Sequence, residues 1–290
     1  MLKSSFMSFS CKEWNLDTIL AKAKEYGFDG FEPRVESNHK HGVELSLTKS
    51  EREQVKTKCK DGGIILSCLA TSVQYSSPDD TEYRRNIENC KQHIILASDL
   101  GIKLLRVFGG TIPEPKIENR DRFFDRIAKG IAECGKFAAE HGDILSLETH
   151  DDICRVKNAN EILQRADAHG LSINWDFTHS ITNGDVPREV YPIIKGKVTH
   201  LHTRDAKYTG EGNPFPMKKH EFHAPDMYKN WEYAHLGEGD MPIKELMQIM
   251  AEDNFDGFFS LEQMKTNLSP EEVLSKTAQN FRKMREEITQ

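Results

Sequence analysis

Two rhythms of apolar residues alternate along this chain. Stretches with an apolar residue every three to four positions give way to short, almost wholly apolar runs, usually across a glycine. In the first stretch Leu16, Ile19, Leu20 and Ala23 share a face, which predicts a helix over Asn15 to Tyr26. Gly27 follows where a helix end favours a residue tolerant of positive φ, and Gly30, Phe31 and Glu32 read as a short strand. A Thr48/Glu51 capping box opens a helix over Thr48 to Cys59, Gly62 and Gly63 end it, and Ile64 to Ala70 is a buried strand. By the same reasoning further helices span Thr81 to Leu100, Asp121 to His141, Asn158 to His169, Val186 to Ile194, Pro242 to Asp253 and Ser269 to Glu287. Further strands span Lys103 to Phe108, Ile144 to Glu148, Ser172 to Asp176, Val198 to His202 and Gly257 to Glu262. With Ser5 to Phe9 as the first, eight strands are each followed by helical sequence.

Alternating strands and helices imply an α/β protein with a parallel sheet and right-handed crossovers. Strands that are mostly continuous apolar runs fit a sheet covered on both faces. Eight units suffice to close a (β/α)8 barrel, and a doubly wound open sheet is the alternative. No Pro/Gly-rich hinge divides the chain, so residues 1–290 read as one domain.

Composition narrows the function. The formal charge is −7, from 39 basic and 46 acidic residues, which makes nucleic acid a poor partner. The six cysteines form no C-x-x-C pair and read as reduced thiols. The first ten residues lack the apolar stretch of a secretory signal. No apolar run approaches the ~20 residues of a membrane span. The expectation is a soluble cytoplasmic protein with no membrane partner.

Four predicted strands end in a residue type that ligates metals: Glu148, Asp176, His202 and Glu262. In a barrel every strand's C-terminal end opens on the same mouth, so these distant residues would converge there. That convergence favours the barrel over the open sheet. Taken singly, an Asp or Glu at a strand end often caps a helix, and a lone His is often a hydrogen-bonded core residue. Taken together, three carboxylates at one narrow mouth repel one another unless a cation sits between them. Three carboxylates and one imidazole suit a single divalent ion, Mn, Zn, Mg or Co, without selecting among them. The spacing from His202 to Glu262 is about two units long, which predicts an insertion, or lid, at about 205–240 after strand seven. It is rich in histidines and aromatics, among them Phe215, His220, Phe222, His223, Trp231, Tyr233 and His235. Such a lid would suit a polyol, and an exposed face near it could support a homo-oligomer.

Residues 27–32, 64–72 and 101–110, the Glu148–His150 and Asp176–His179 strand ends, His200 to Asp205, and Leu236 to Gly239 together resemble the sugar phosphate isomerase/epimerase family of xylose isomerase-like TIM barrels, over essentially the whole chain. The resemblance implies that Glu148, Asp176, His202 and Glu262 hold the metal. It also implies that Glu148 and Glu262 face the substrate from opposite sides as a catalytic acid–base pair. His179 would touch a substrate hydroxyl, and His150, Arg204 and Glu32 are further candidates for substrate binding. Arg204 could instead pair with Asp205, and Arg106, inside strand four, is expected to find a buried partner. The function implied is a metal-dependent isomerase or epimerase of a small sugar, keto-polyol or sugar phosphate, acting through an enediolate. A dehydratase of the inosose or dehydroshikimate type would use the same enolate to expel a hydroxyl. An apurinic endonuclease of the same superfamily is disfavoured, because the ends of strands three and four supply no histidine.

Overall fold

The chain is described by a computed structural model that covers residues 2–224, 228–262 and 265–289. Strands β1 (Lys3–Met7), β2 (Gly30–Glu32), β3 (Ile65–Leu66), β4 (Leu69–Gln74), β5 (Leu104–Phe108), β6 (Ile144–Glu148), β7 (Leu171–Asp176), β8 (Val198–Thr203) and β11 (Phe258–Leu261) form one parallel sheet. Its order is β3-β2-β1-β11-β8-β7-β6-β5-β4. The two outermost segments, β3 and β4, are halves of one broken strand, so the sheet closes on itself. A bridge between Arg34 and Ala70 completes the ring. The fold is a (β/α)8 barrel. Two short strands, β9 (Asp205–Tyr208) and β10 (Trp231–Ala234), pair antiparallel within the insertion.

Around the barrel run α1 (Leu16–Tyr26), α2 (Lys49–Gly62), α3 (Asp80–Leu100), α4 (Lys116–Glu140), α5 (Val156–Ala166), α6 (Phe177–Thr182), α7 (Pro187–Ile194), α8 (Ile243–Glu252) and α9 (Pro270–Thr289). Their ends follow local chemistry. The Thr48/Glu51 capping box forms, and Gly27 closes α1 at φ 79°. Several boundaries differ from expectation; α4, for one, begins at Lys116 instead of Asp121. The first strand lies two residues earlier than expected, because Ser8–Cys11 turn into a short 3-10 helix. α5 stops at Ala166, where Asp167 takes the left-handed conformation at φ 41°, so Gly170 serves the turn into β7 and not the helix end. α6 was not foreseen: its six residues are too few to show a period.

The strands also differ from continuous apolar runs. In β6, Leu145 and Leu147 face the helices while Ser146 and Glu148 face the barrel axis; in β7, Ile173 and Trp175 alternate with Ser172, Asn174 and Asp176. The barrel interior is therefore polar and layered. Low down, Ser172 Oγ lies 3.0 Å from Ser146 Oγ and 2.7 Å from Thr199 Oγ1. His200 and Glu32 come next, then the strand-end residues. Every one of these groups is buried apart from the partly exposed Thr199 and Glu262, and buried polar groups of this kind persist only when they satisfy one another. No helix among the described residues is long and apolar enough to cross a membrane.

Candidate metal centre

The register of the sheet assembles the site. Asp176 pairs with His202, and His202 with Ser260, across β7, β8 and β11. Glu262, two residues past Ser260, returns to the same inward face. One ligand atom from each of Glu148, Asp176, His202 and Glu262 lies within 4.8 Å of the others. The four expected strand-end residues are thus brought together, from β6, β7, β8 and the residue after β11.

His202 is the hub. Its Nδ1 lies 2.6 Å from Glu148 Oε1 and 3.9 Å from Glu262 Oε2. Its Nε2 lies 3.0 Å from Glu32 Oε1. Burial disfavours an imidazolium here, but Glu32 and Glu148 outweigh it and push His202 well above its ordinary range. Glu32, expected to line the mouth, is instead fully buried beneath His202. It also engages His200 Nε2 at 2.9 Å and accepts from Ser260 Oγ at 2.5 Å. Its environment is wholly internal, so it braces His202 and His200 from below.

Glu148 is held from the other side. Arg106 Nε lies 3.1 Å from its Oε2, without the alignment of a hydrogen bond. Burial raises this carboxyl, yet Arg106 and His202 bring it far below the usual carboxylate range. Arg106 also donates to Thr71 O at 2.7 Å and lies 4.1 Å over the Phe108 ring, a buried environment of the kind expected.

Asp176 both caps and faces the site. Its Oδ1 accepts from His179 N at 2.8 Å, which starts α6, while Oδ2 pairs with Arg204. Burial and the nearby Glu262 and Glu148 push its carboxyl up to about 6 in spite of Arg204. Arg204 also reaches Glu262 Oε2 at 2.7 Å and so bridges two strand ends. It does not pair with Asp205. That residue accepts backbone N–H groups from Ala206, Gly237, Gly239 and Met241 and ties β9 to the turn before α8.

The cap on Asp176 turns α6 so that His179 projects over the mouth. There its ring meets His150 at 4.2 Å between centroids, and His150 packs on Phe108 at 4.7 Å. The insertion divides. Trp231 packs with Tyr208 and Phe215 at the edge of the main hydrophobic core, whereas Tyr228 reaches His179 Nε2 at 3.2 Å and His223 lies 6.1 Å from the same ring. Residues 225–227 of the insertion lie outside the described residues. Tyr228 was not anticipated, since a lone tyrosine in a polar segment carries no pattern.

The donor set fits a divalent cation. Three crowded carboxylates and an imidazole converge, and Glu148 Oε2 is buried with no hydrogen-bond partner. A (β/α)8 barrel with such a set at its C-terminal mouth defines a class of barrel enzymes built around strand-end ligands. Residues 20–284 match the model of the xylose isomerase-like TIM barrel family, and the chain belongs to that family. The chain is 24% identical over 202 residues to a 3-dehydroshikimate dehydratase of Bacillus anthracis, covering 69% of each. It is 21% identical over 188 residues to an inosose dehydratase of Bacillus cereus (strain AH820), covering 61% of this chain and 62% of that one. The solved structure of an L-ribulose 3-epimerase superposes with a TM-score of 0.77 at 14% identity, over 100% of this chain and 96% of that one. The relatives and structural neighbours thus include both dehydratases and an epimerase.

Proposed function

We propose that the protein is a divalent-metal-dependent lyase that removes water from a small polyhydroxylated ketone. Glu148, Asp176, His202 and Glu262 would hold the cation, which when bound supplies the Lewis acidity that makes the C–H beside a carbonyl acidic. The observation that carries the choice of elimination is the His150–His179 pair, two imidazoles 4.2 Å apart at the mouth above these ligands. Elimination needs one group to take the C–H proton and another to give a proton to the departing hydroxyl, so that the products are an unsaturated ketone and water. The two imidazoles can share that work. Tyr228, against His179, and Arg204, between Asp176 and Glu262, would orient hydroxyls. The dehydratase relatives support the same reading.

A second reading, isomerisation or epimerisation, is favoured by two carboxylates, Glu148 and Glu262, converging at His202 Nδ1, at 2.6 and 3.9 Å. It asks Glu148 to exchange protons while Arg106 and His202 hold it, which is why elimination is preferred. The test is incubation of the Mn²⁺-loaded protein in deuterated water with 3-dehydroshikimate, an inosose and several ketoses. Loss of one water by mass spectrometry supports elimination. Deuterium gain without that loss supports the second reading, and neither on any compound overturns both.

A further inference from the structure

Three arginines point inward around the mouth, and one differs from the others. Arg106 has Glu148, and Arg204 has Asp176 and Glu262. Arg34 has no carboxylate within ion-pair distance among the described residues. Its Nε donates to Ser37 Oγ at 2.8 Å and its Nη2 to Ser72 Oγ at 3.1 Å, both neutral partners.

The inward direction follows from register. Arg34 is two residues past the inward-facing Glu32, and it bridges Ala70, which pairs with Arg106. Arg34 and Arg106 therefore flank β4, which at this level offers only the Ala70 methyl between them. Arg34 is near enough to Arg106, Glu262, Glu148 and Glu32 for their charges to act on it.

The backbone around Arg34 is fixed on both sides. Its N–H donates to the buried Ser8 Oγ at 2.9 Å. Its carbonyl accepts from His41 Nε2 at 3.0 Å; the tautomer is set because His41 Nδ1 accepts from Val43 N at 3.0 Å. A half-buried cation beside a second cation, preorganised yet matched only to hydroxyls, is poorly compensated. A planar fork held in this way is suited to a bidentate oxyanion.

We propose that Arg34, oriented by Ser37 and Ser72, binds an oxyanion carried by the substrate, so that the site takes hydroxy-ketones bearing a carboxylate or phosphate in preference to neutral sugars. The proposal rests on the strand-end mouth being the substrate site.

The test is calorimetric binding to the Mn²⁺-loaded protein of two matched pairs: shikimate with its uncharged methyl ester, and ribulose 5-phosphate with ribulose. One charged member is expected to bind at least about tenfold tighter than its neutral partner. Arg34→Gln should bring that ratio close to one and Arg34→Lys should keep part of it. Ser72→Ala, which loosens the fork without removing it, should weaken the charged member several-fold and carries the test if Arg34→Gln does not fold. A gain confined to the phosphate pair identifies the oxyanion as phosphate, and one confined to the shikimate pair identifies it as carboxylate; either supports the proposal. Equal binding within both pairs, a ratio unchanged in Arg34→Gln, or failure of all four to bind overturns it. Chemistry is scored separately by deuterium gain and water loss. Charged and neutral ketones dehydrated equally well by wild type, with Arg34→Gln changing neither, would remove the oxyanion site and leave the lyase reading. An Arg34-dependent preference without either chemical change would do the reverse.

Discussion

Glu32 and His202 face each other inside the barrel, with Glu32 Oε1 3.0 Å from Nε2, while Nδ1 of the same ring looks toward Glu148 and Glu262. In the proposed metal site this orientation would leave Nδ1 for a cation and make Glu32 the acceptor that holds the ring and its tautomer. Glu32→Gln is expected to weaken Mn²⁺ affinity about 10- to 100-fold. Titration against a chromophoric chelator measures it. Unchanged affinity with intact circular dichroism would show that Glu32 only fills the barrel.

If Glu148 and Glu262 act as ligands and not as an acid–base pair, replacing either by Gln should lower turnover in step with metal occupancy. Rates measured at matched, saturating Mn²⁺ decide this. A residual deficit beyond about 100-fold at full occupancy would restore the acid–base role and with it the epimerase reading.

His150→Asn and His179→Asn should each lower the elimination rate about 100-fold or more, with Mn²⁺ affinity nearly unchanged. The two also separate in kind. The variant that still exchanges the C–H proton with deuterated water but releases no water has lost the group that protonates the leaving hydroxyl. Full activity in both would remove the imidazole pair from the chemistry.

Gly239 lies against Asp205. A Cβ there would sit 2.2 Å from Asp205 Oδ1 and 2.6 Å from the backbone carbonyl of Ala206. Gly239→Ala is expected to cost about 2–4 kcal/mol in denaturant unfolding. Asp205→Ala, which strands four backbone N–H groups, should cost a similar amount, and the double variant less than the sum. Additive losses would mean that the two residues act independently.

Acid should weaken the fold through His39. Burial, with His41, Lys12 and Arg34 nearby, lowers this histidine from its ordinary 6.5 to about 4, and its Nδ1 lies 2.9 Å from Ser8 Oγ. Between those values the unfolded chain binds a proton that the folded chain refuses. Stability therefore falls as pH drops from 6.5 toward 4. His39→Asn should flatten this decline by about 1 kcal/mol once solvent screening is allowed for. An identical pH dependence of melting in the variant would show that His39 titrates normally.

The barrel and the convergence of its four strand-end residues were legible because both rest on spacing: one βα unit separates Glu148 from Asp176, and another separates Asp176 from His202. What spacing does not carry is which neighbour a side chain meets. Glu32 and His202 lie on strands far apart in sequence and become partners only when the barrel closes. Arg34 follows a Pro in a loop without a period, and only the Ala70 bridge reveals its direction. The apolar appearance of the strands also concealed the polar interior, since Ser146, Ser172 and Asn174 look unremarkable among leucines and isoleucines. Asp205 looked like a partner for its neighbour Arg204, but four backbone donors 1 to 36 residues away claim it.

That carboxylate has a mechanical consequence. The segment between β9 and β10 leaves and rejoins the barrel at points that both hang on Asp205: β9 begins with it, and the turn just past β10 donates to it. A loop whose two roots share one fastening keeps those roots in fixed register, while contacts such as Lys157 with Glu221 and Ala224 N–H with Asn183 Oδ1 hold its middle. Under the proposed function, strain in the segment that carries Tyr228 would reach Asp205 first, three residues downstream of His202, and so would be kept from the candidate ligands.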